Sequence, residues 1–293
     1  MAIVLTVLQI VAPVFILAAI GFTWVRIGEE YRVRFVTRLT MNLGIPALVF
    51  TSLMKTRIDP DALTGVVLAG LVAYGGMTVA VFLMVRLFGL DMRTYMAPLL
   101  FGNTGNLGLP LALFAFGQVG LGYAVVIFAI MAIYSFTFGV WLVSGGGSVL
   151  KVLKEPLVSA ALLGAVFLWN GWQTPDWITN TLDLIGQMAI PLMLITLGVA
   201  VARLRPAGFG RALVLSVIKV VLAVGVAIAA GLWFELPAIP FAVLVLQLST
   251  PVAVSSYLLA EKYEVNSEEV AGLVVISTLF SLVSIPVTLA FLL

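Results

Sequence analysis

No cysteine and no histidine occur in this sequence. The first absence excludes disulfides, thiolate metal sites and thiol catalysis. The second removes the usual metal ligand and the commonest general base. Charge is scarce as well: 10% of the residues are Asp, Glu, Lys or Arg, against about a quarter in a soluble domain. A catalytic serine would have no histidine to activate it, and no paired aspartates stand inside an apolar run. We therefore expect no enzyme, no metal and no cofactor. The formal net charge of +2 argues for no nucleic-acid partner, because in so apolar a chain the placement of charge matters more than its sum.

What the chain has in excess is apolar surface. Of its 293 residues, 62% are hydrophobic, and the mean hydropathy is +1.21. A soluble fold of this size could not hide that surface, whereas lipid acts as a solvent for it. One helical crossing takes about 20 apolar residues. Apolar runs bounded by charge and turn residues predict ten spans: 3–25, 36–54, 63–88, 95–116, 120–143, 157–172, 181–202, 211–233, 238–259 and 269–293. The runs are long and do not alternate, so an all-α integral membrane protein is expected. The first run has no basic segment before it and no small-residue cleavage site, so it reads as a retained span.

Orientation follows Lys and Arg. The odd-numbered loops carry Arg26, Arg32, Arg34 and Arg38, then Arg86 and Arg93, Lys151 and Lys154, Arg203, Arg205 and Arg211, and Lys262. The even-numbered loops carry only Lys55 and Arg57. This asymmetry puts the odd loops in the cytoplasm and both termini on the non-cytoplasmic side of the cell's inner (plasma) membrane. Trp24, Trp141, Trp169, Trp172, Trp177 and Trp233 fall near span ends, where an interfacial aromatic belt lies.

The chain also repeats itself. Ile45-Pro46 precedes Thr51 as Ile190-Pro191 precedes Thr196, at an offset of 145. Spans 4 and 9 both carry a mid-span proline, Pro110 and Pro251. Residues 1–143 form a first set of five spans and 156–293 a second, joined by a short cytoplasmic linker, 144–155, that includes Gly145-Gly146-Gly147. Five is odd, so the second copy enters the membrane inverted. Inverted repeats with matching interrupted helices are a transporter plan.

The most informative segment is Gly102-Asn103-Thr104-Gly105-Asn106-Leu107-Gly108-Leu109-Pro110. Its glycines and proline oppose a continuous helix, and its two asparagines need partners at that depth. Broken backbone inside a membrane is tolerated only where protein or a water-filled cavity covers it. We expect the helix to unwind near 105–109 and to restart at Pro110, aiming free N–H groups and a positive dipole end at an anion. The counterpart in span 9 is the run from Gln247 to Ser256. Aligning the prolines sets Asn106 beside Gln247 and Gly108 beside Ser249 in the repeat. Candidate substrate contacts are Asn103, Thr104, Gly105, Asn106, Gly108 and Pro110 in span 4, and Gln247, Ser249, Thr250, Pro251 and Val252 in span 9. Ser255 and Ser256 serve equally well as helix–helix glue. Lys219, about two turns into span 8, is expected to snorkel to the interface, with a substrate contact as the alternative. Asp183 is expected at the start of span 7, and Glu261 and Lys262 in a loop after span 9.

The span-4 segment resembles the hallmark of the auxin efflux carrier family, which includes bacterial organic-acid permeases and plant PIN auxin exporters. Ile45-Pro46-Ala47-Leu48 resembles that family too, as do the run Pro251 to Tyr263, Ser277-Thr278 and Ile285-Pro286. The resemblance covers the whole chain. It implies ten helices in two inverted five-helix repeats with crossing broken helices 4 and 9, a fold similar to the bile-acid sodium symporters and NhaA-like. It also implies an elevator. Spans 1, 2, 6 and 7 would form the scaffold and homodimer interface, and spans 3–5 and 8–10 would move. Substrates would be organic anions such as indole-3-acetate or malate. The family's plant pattern sets an Asn seven residues before the span-4 proline, which falls on Asn103. The long plant loop is absent here, and Ser256 replaces the second span-9 proline.

The function expected is a secondary transporter of small organic carboxylates, as an electrogenic exporter that needs no coupling ion. The alternative is a sodium- or proton-coupled symporter of the same fold. Coupling usually leaves ionisable residues inside the membrane, and the candidate segments hold none. A channel fits the broken helices loosely; saturable, trans-stimulated flux is the sign of a carrier.

Overall fold

A computed structural model describes residues 2–55, 60–144, 156–204 and 208–293. Arg57, Lys151, Lys154, Arg205 and the Gly145–Gly147 linker lie outside the described residues. Every described element is helical, as lipid demands when it offers the backbone no hydrogen bonds. In order they are α1 (Ala2–Arg26), α2 (Val33–Lys55), α3 (Pro60–Leu87), α4 (Met92–Leu100), α5 (Thr104–Ser144), α6 (Pro156–Asn170), α7 (Asp176–Gln187), α8 (Ala189–Arg203), α9 (Phe209–Trp233), α10 (Ala238–Ser249), α11 (Val254–Lys262) and α12 (Ser267–Leu292). Seven helices among the described residues are long and apolar enough to cross a membrane. Their outward faces are apolar: Val79 on α3, Val221 on α9 and Phe291 on α12 are 60%, 66% and 87% exposed. So much exposed apolar surface needs lipid against it.

The 41 residues of α5 would reach about 60 Å if straight, twice the hydrocarbon thickness. They do not run straight. Gly117 has φ 64° and ψ −157°, a conformation open to glycine alone, and it turns the chain sharply between two limbs. A glycine therefore stands where the sequence reading set a loop between spans 4 and 5. Pro46 and Pro191 act through the turns before them. A proline cannot donate to the carbonyl one turn back. The turn Thr40–Gly44 widens to i→i+5 bonding ahead of Pro46, and the regular helix is interrupted at Met188, between α7 and α8, ahead of Pro191. These matched turns touch: Gly44 packs against Ala189, and 189 − 44 is again the repeat offset of 145. Gly164 packs on Leu53, as Gly198 packs on Ala18.

Side-chain ties join the links between helices. Arg203 donates to the Tyr31 carbonyl at 2.7 Å, joining the end of α8 to the α1–α2 link. Arg93 donates to the Val143 carbonyl at 2.8 and 3.1 Å, fastening the start of α4 to the end of α5. Tyr95 donates to Glu269 at 2.8 Å, and Arg211 reaches both at 3.3 and 3.4 Å, so α4, α9 and α12 start side by side. The ties bring together ends that the sequence reading assigned to odd-numbered loops. Lys55 pairs with Asp183 at the end of α2.

Three expectations need correction. Asp183 does not open a helix: α7 starts at Asp176, and Asp183 lies on its flank, drawn to Lys55. Glu261 and Lys262 form the last turn of α11, not a loop. The second span begins at Val33, so Arg34 and Arg38 stand on its first turns.

Candidate substrate site

Two interrupted helices meet at the centre of the fold. α4 ends at Leu100 and α5 begins at Thr104; α10 ends at Ser249 and α11 begins at Val254. The extended residues between them pair as an antiparallel bridge, Gly102 with Val252. Asn103 N donates to the Pro251 carbonyl at 2.7 Å, and Ala253 N to the Phe101 carbonyl at 3.4 Å. Val252 N donates to Ser277 Oγ of α12 at 3.0 Å. Backbone that would be costly in lipid is thus satisfied within the protein.

Glycine sets the spacing. A methyl group at Gly102 would overlap Thr250 Oγ1, and one at Gly108 would overlap the Gln247 amide. This corrects the expected break. The helix is interrupted at 101–103, ahead of 105–109, with Phe101 extended and Gly102 in the bridge, and it restarts at Thr104, not at Pro110. The close approach decides it, because Gly102 is the glycine that the partner strand covers. Pro110 is accommodated inside the helix because Thr104–Gly108 is a widened turn. Across the crossing, Gly108 lies against the Gln247 amide.

The candidate residues divide by task. Asn103 (5% exposed), Thr104 (0%) and Gln247 (0%) are buried, and Asn103 Nδ2, Thr104 Oγ1 and both polar atoms of the Gln247 amide have no partner. Each such group costs about 1–3 kcal/mol when left unmatched, so these atoms call for a partner. The amides of Thr104, Gly105 and Asn106 precede the first helical bonds, made by Leu107 and Gly108 to the Asn103 carbonyl at 3.1 Å. Ser249 and Thr250 instead turn their hydroxyls onto Leu246 and Gln247 carbonyls at 2.9 and 2.7 Å. Pro251 and Val252 form the bridge, Gly105 packs under the Phe128 ring, and Pro110 is buried in the helix. Ser256 is buried and Ser255 exposed.

Asn106 opens on a cavity of about 30 Å3 shared with Thr37, Thr40 and Met41 of α2 and Met193 and Thr196 of α8. That is room for about two waters. Thr40 Oγ1 there is buried without a partner, and Thr196 Oγ1 shares a 2.7 Å hydrogen bond with the Tyr31 hydroxyl. Burial raises the Tyr31 pKa and the bond to Thr196 opposes this, so the phenol stays a neutral hydroxyl. The 330 Å3 crevice bordered by Leu53, Val125 and Ala165 is lined by apolar side chains alone and holds nothing that would orient an anion.

Sequence reading set Lys219 at the interface in preference to a substrate contact, and it missed Ser277 and the hydroxyls of α2 and α8 as candidates. Lys219 does not snorkel: it is 1% exposed, and its Nζ donates to the Thr250 carbonyl at 2.7 Å. It stands ten residues into α9, nearer three turns than two. The signal was available, since a lone cation that deep in a span is a functional candidate by default.

This arrangement of broken helices inside an apolar, multi-pass fold defines a membrane transporter, and comparison with known proteins agrees. A family model described as membrane transport protein matches residues 144–289. An uncharacterized transporter of Methanothermobacter thermautotrophicus is 31% identical over 97% of this chain and 95% of its own length. Another, from Methanocaldococcus jannaschii, is 25% identical over 63% of each chain. The chain belongs to this transporter family, that of the auxin efflux carriers.

Proposed function

We propose that the protein is an electrogenic exporter of small organic carboxylates that works without a coupling ion. The observation that carries this reading is the crossing itself. Unpartnered donors at Asn103, Thr104 and Gln247 stand beside the free amide end of α5, with α11 starting across the bridge. Helix N-termini favour negative charge, and an amide with hydroxyls supplies the hydrogen bonds that orient a carboxylate.

The architecture we infer is two inverted five-helix repeats, with α4 plus the first limb of α5, and α10 plus α11, as spans 4 and 9. The contact of Gly44 with Ala189 supports it, because residues related by a two-fold operation meet each other only at the axis. Spans 1, 2, 6 and 7 are the scaffold and homodimer face, and the others carry the site as an elevator. The small cavity lies where Asn106 of the moving part faces α2 and α8 of the scaffold. The cytoplasmic face is the one that bears Arg93, Arg203 and Arg211.

The test is flux in proteoliposomes with a panel of indole-3-acetate, lactate, malate and succinate. A potassium-diffusion potential is imposed at equal pH and sodium. The potential is worth about 2.3 kcal/mol per charge per 100 mV, more than a tenfold concentration ratio. Net flux should follow it. Flux that ignores potential and requires a sodium or proton gradient would replace this reading with the coupled symporter.

A further inference from the structure

Lys219 differs from every other cation of the described chain. Its Nζ makes one hydrogen bond, to the Thr250 carbonyl. It lies ten residues along α9, about 15 Å from the helix start and so near mid-membrane. The ion pairs among the described residues are Arg32–Glu30, Lys55–Asp183 and Arg211–Glu269, and no described carboxylate is buried. An ammonium at such depth is costly unless something negative faces it.

What faces it is the carbonyl end of α10. Thr250 closes that helix, and Pro251 has no amide to return to it. A helix C-terminus carries about half a negative charge. In transporters built on interrupted helices, such carbonyl ends hold the coupling sodium or proton. Here a tethered amine already occupies the position, across the bridge from the unpartnered donors of Asn103 and Thr104.

We propose that Lys219 is the resident counter-ion of the carrier: it stands where a coupling cation would bind and balances the charge of a monocarboxylate at the crossing. The inference rests on the anion-transport reading above. It makes the carrier neutral when loaded with a monoanion and singly positive when empty. An inside-negative potential therefore acts on the inward return of the empty carrier and not on the loaded trip. One negative charge still leaves per cycle.

The experiment separates exchange from net flux, using the monocarboxylate of the panel that the wild-type protein carries. Wild-type exchange, in which only loaded carriers cross, should keep its rate between zero and about 100 mV. An unbalanced charge crossing that field would change the driving term up to about fifty-fold. Lys219→Met should slow exchange in choline medium by about tenfold or more, the effect of about 1.4 kcal/mol. It should also make exchange voltage-dependent and sensitive to added sodium. Lys219→Arg keeps the charge and should keep exchange indifferent to voltage. Thermal unfolding checks that each variant folds. Wild-type exchange that tracks potential overturns the proposal, as does Lys219→Met flux at the wild-type rate without sodium. Absence of any carboxylate flux in the wild type would instead sink the transport reading itself.

Discussion

Replacing Gly102 with alanine tests the crossing most directly. The new methyl would overlap Thr250 Oγ1 and lie 3.2 Å from the Thr250 carbonyl oxygen. Thr250 cannot yield easily: it is fully buried, and its hydroxyl is held on the Gln247 carbonyl at 2.7 Å. The two extended strands must then move apart. That strains the Asn103–Pro251 and Ala253–Phe101 backbone bonds, now at 2.7 and 3.4 Å. Overpacking of this kind costs about 1–3 kcal/mol, and each hydrogen bond lost adds about 1 kcal/mol. Gly102→Ala should therefore lose about 2–5 kcal/mol of stability and most of its exchange activity, read by thermal unfolding in detergent and by counterflow. Thr250→Ala removes the clashing hydroxyl oxygen and leaves Cβ at 3.5 Å, an ordinary contact, with the tighter carbonyl contact at 3.2 Å unrelieved. The double variant should thus recover about 1–2 kcal/mol relative to the sum of the singles, within the range of coupled neighbours. Gly75→Ala is the control: a methyl there meets nothing within 4 Å, and alanine in mid-helix adds about 0.5–1 kcal/mol of stability. A Gly102→Ala protein with wild-type stability and flux would refute the close-approach argument, and so would a double variant no better than the sum.

Asn103→Ala and Asn106→Ala should each weaken carboxylate binding by about 1–3 kcal/mol, with Thr181→Ala, on an exposed face, unchanged; unaltered affinity in both, measured by ligand-induced thermal shift, removes them from the site. In this cysteine-free background, Asp176→Cys should react with an impermeant thiol reagent in intact cells and Glu261→Cys only after permeabilisation; the reverse pattern inverts the orientation. Asp183→Asn removes the partner of Lys55 in a pair whose side chains are 26% and 45% exposed, so the loss should stay below about 1 kcal/mol, and a larger drop in unfolding temperature would show that this tie matters more than solvent screening allows.

The helical membrane class was legible because lipid imposes one simple requirement, a long apolar run, and the chain meets it openly. That spans 4 and 9 break was legible too, since Gly102, Gly105, Gly108, Pro110 and Pro251 each oppose a helix. Where the first one breaks was not. Several glycines offered the same freedom, and only the covering strand from span 9 selects Gly102. Asn103 and Gln247 could be read as site candidates from their depth, whereas Ser249 and Thr250 could not be told apart from them until their hydroxyls were seen to close their own helix. Lys219 was misread for a related reason. A lysine that deep can reach the interface or turn inward, and the choice depends on a carbonyl 31 residues further along the chain. Tyr31, whose partner Thr196 is 165 residues away, left no local trace.

The backbone bridge between Gly102 and Val252 also bears on direction. It couples the two halves of the chain where each contributes the end of an interrupted helix. In the elevator proposed above, neither broken helix would advance without the other, so the pocket they frame would cross the bilayer as a unit and arrive with the same shape. A pocket that grips equally well on both sides cannot act as a rectifier. On the carboxylate reading, which way material flows would then be left to the cell, through its voltage and its stores of organic acid, and the same molecule would fill a cell as readily as empty it if those were reversed.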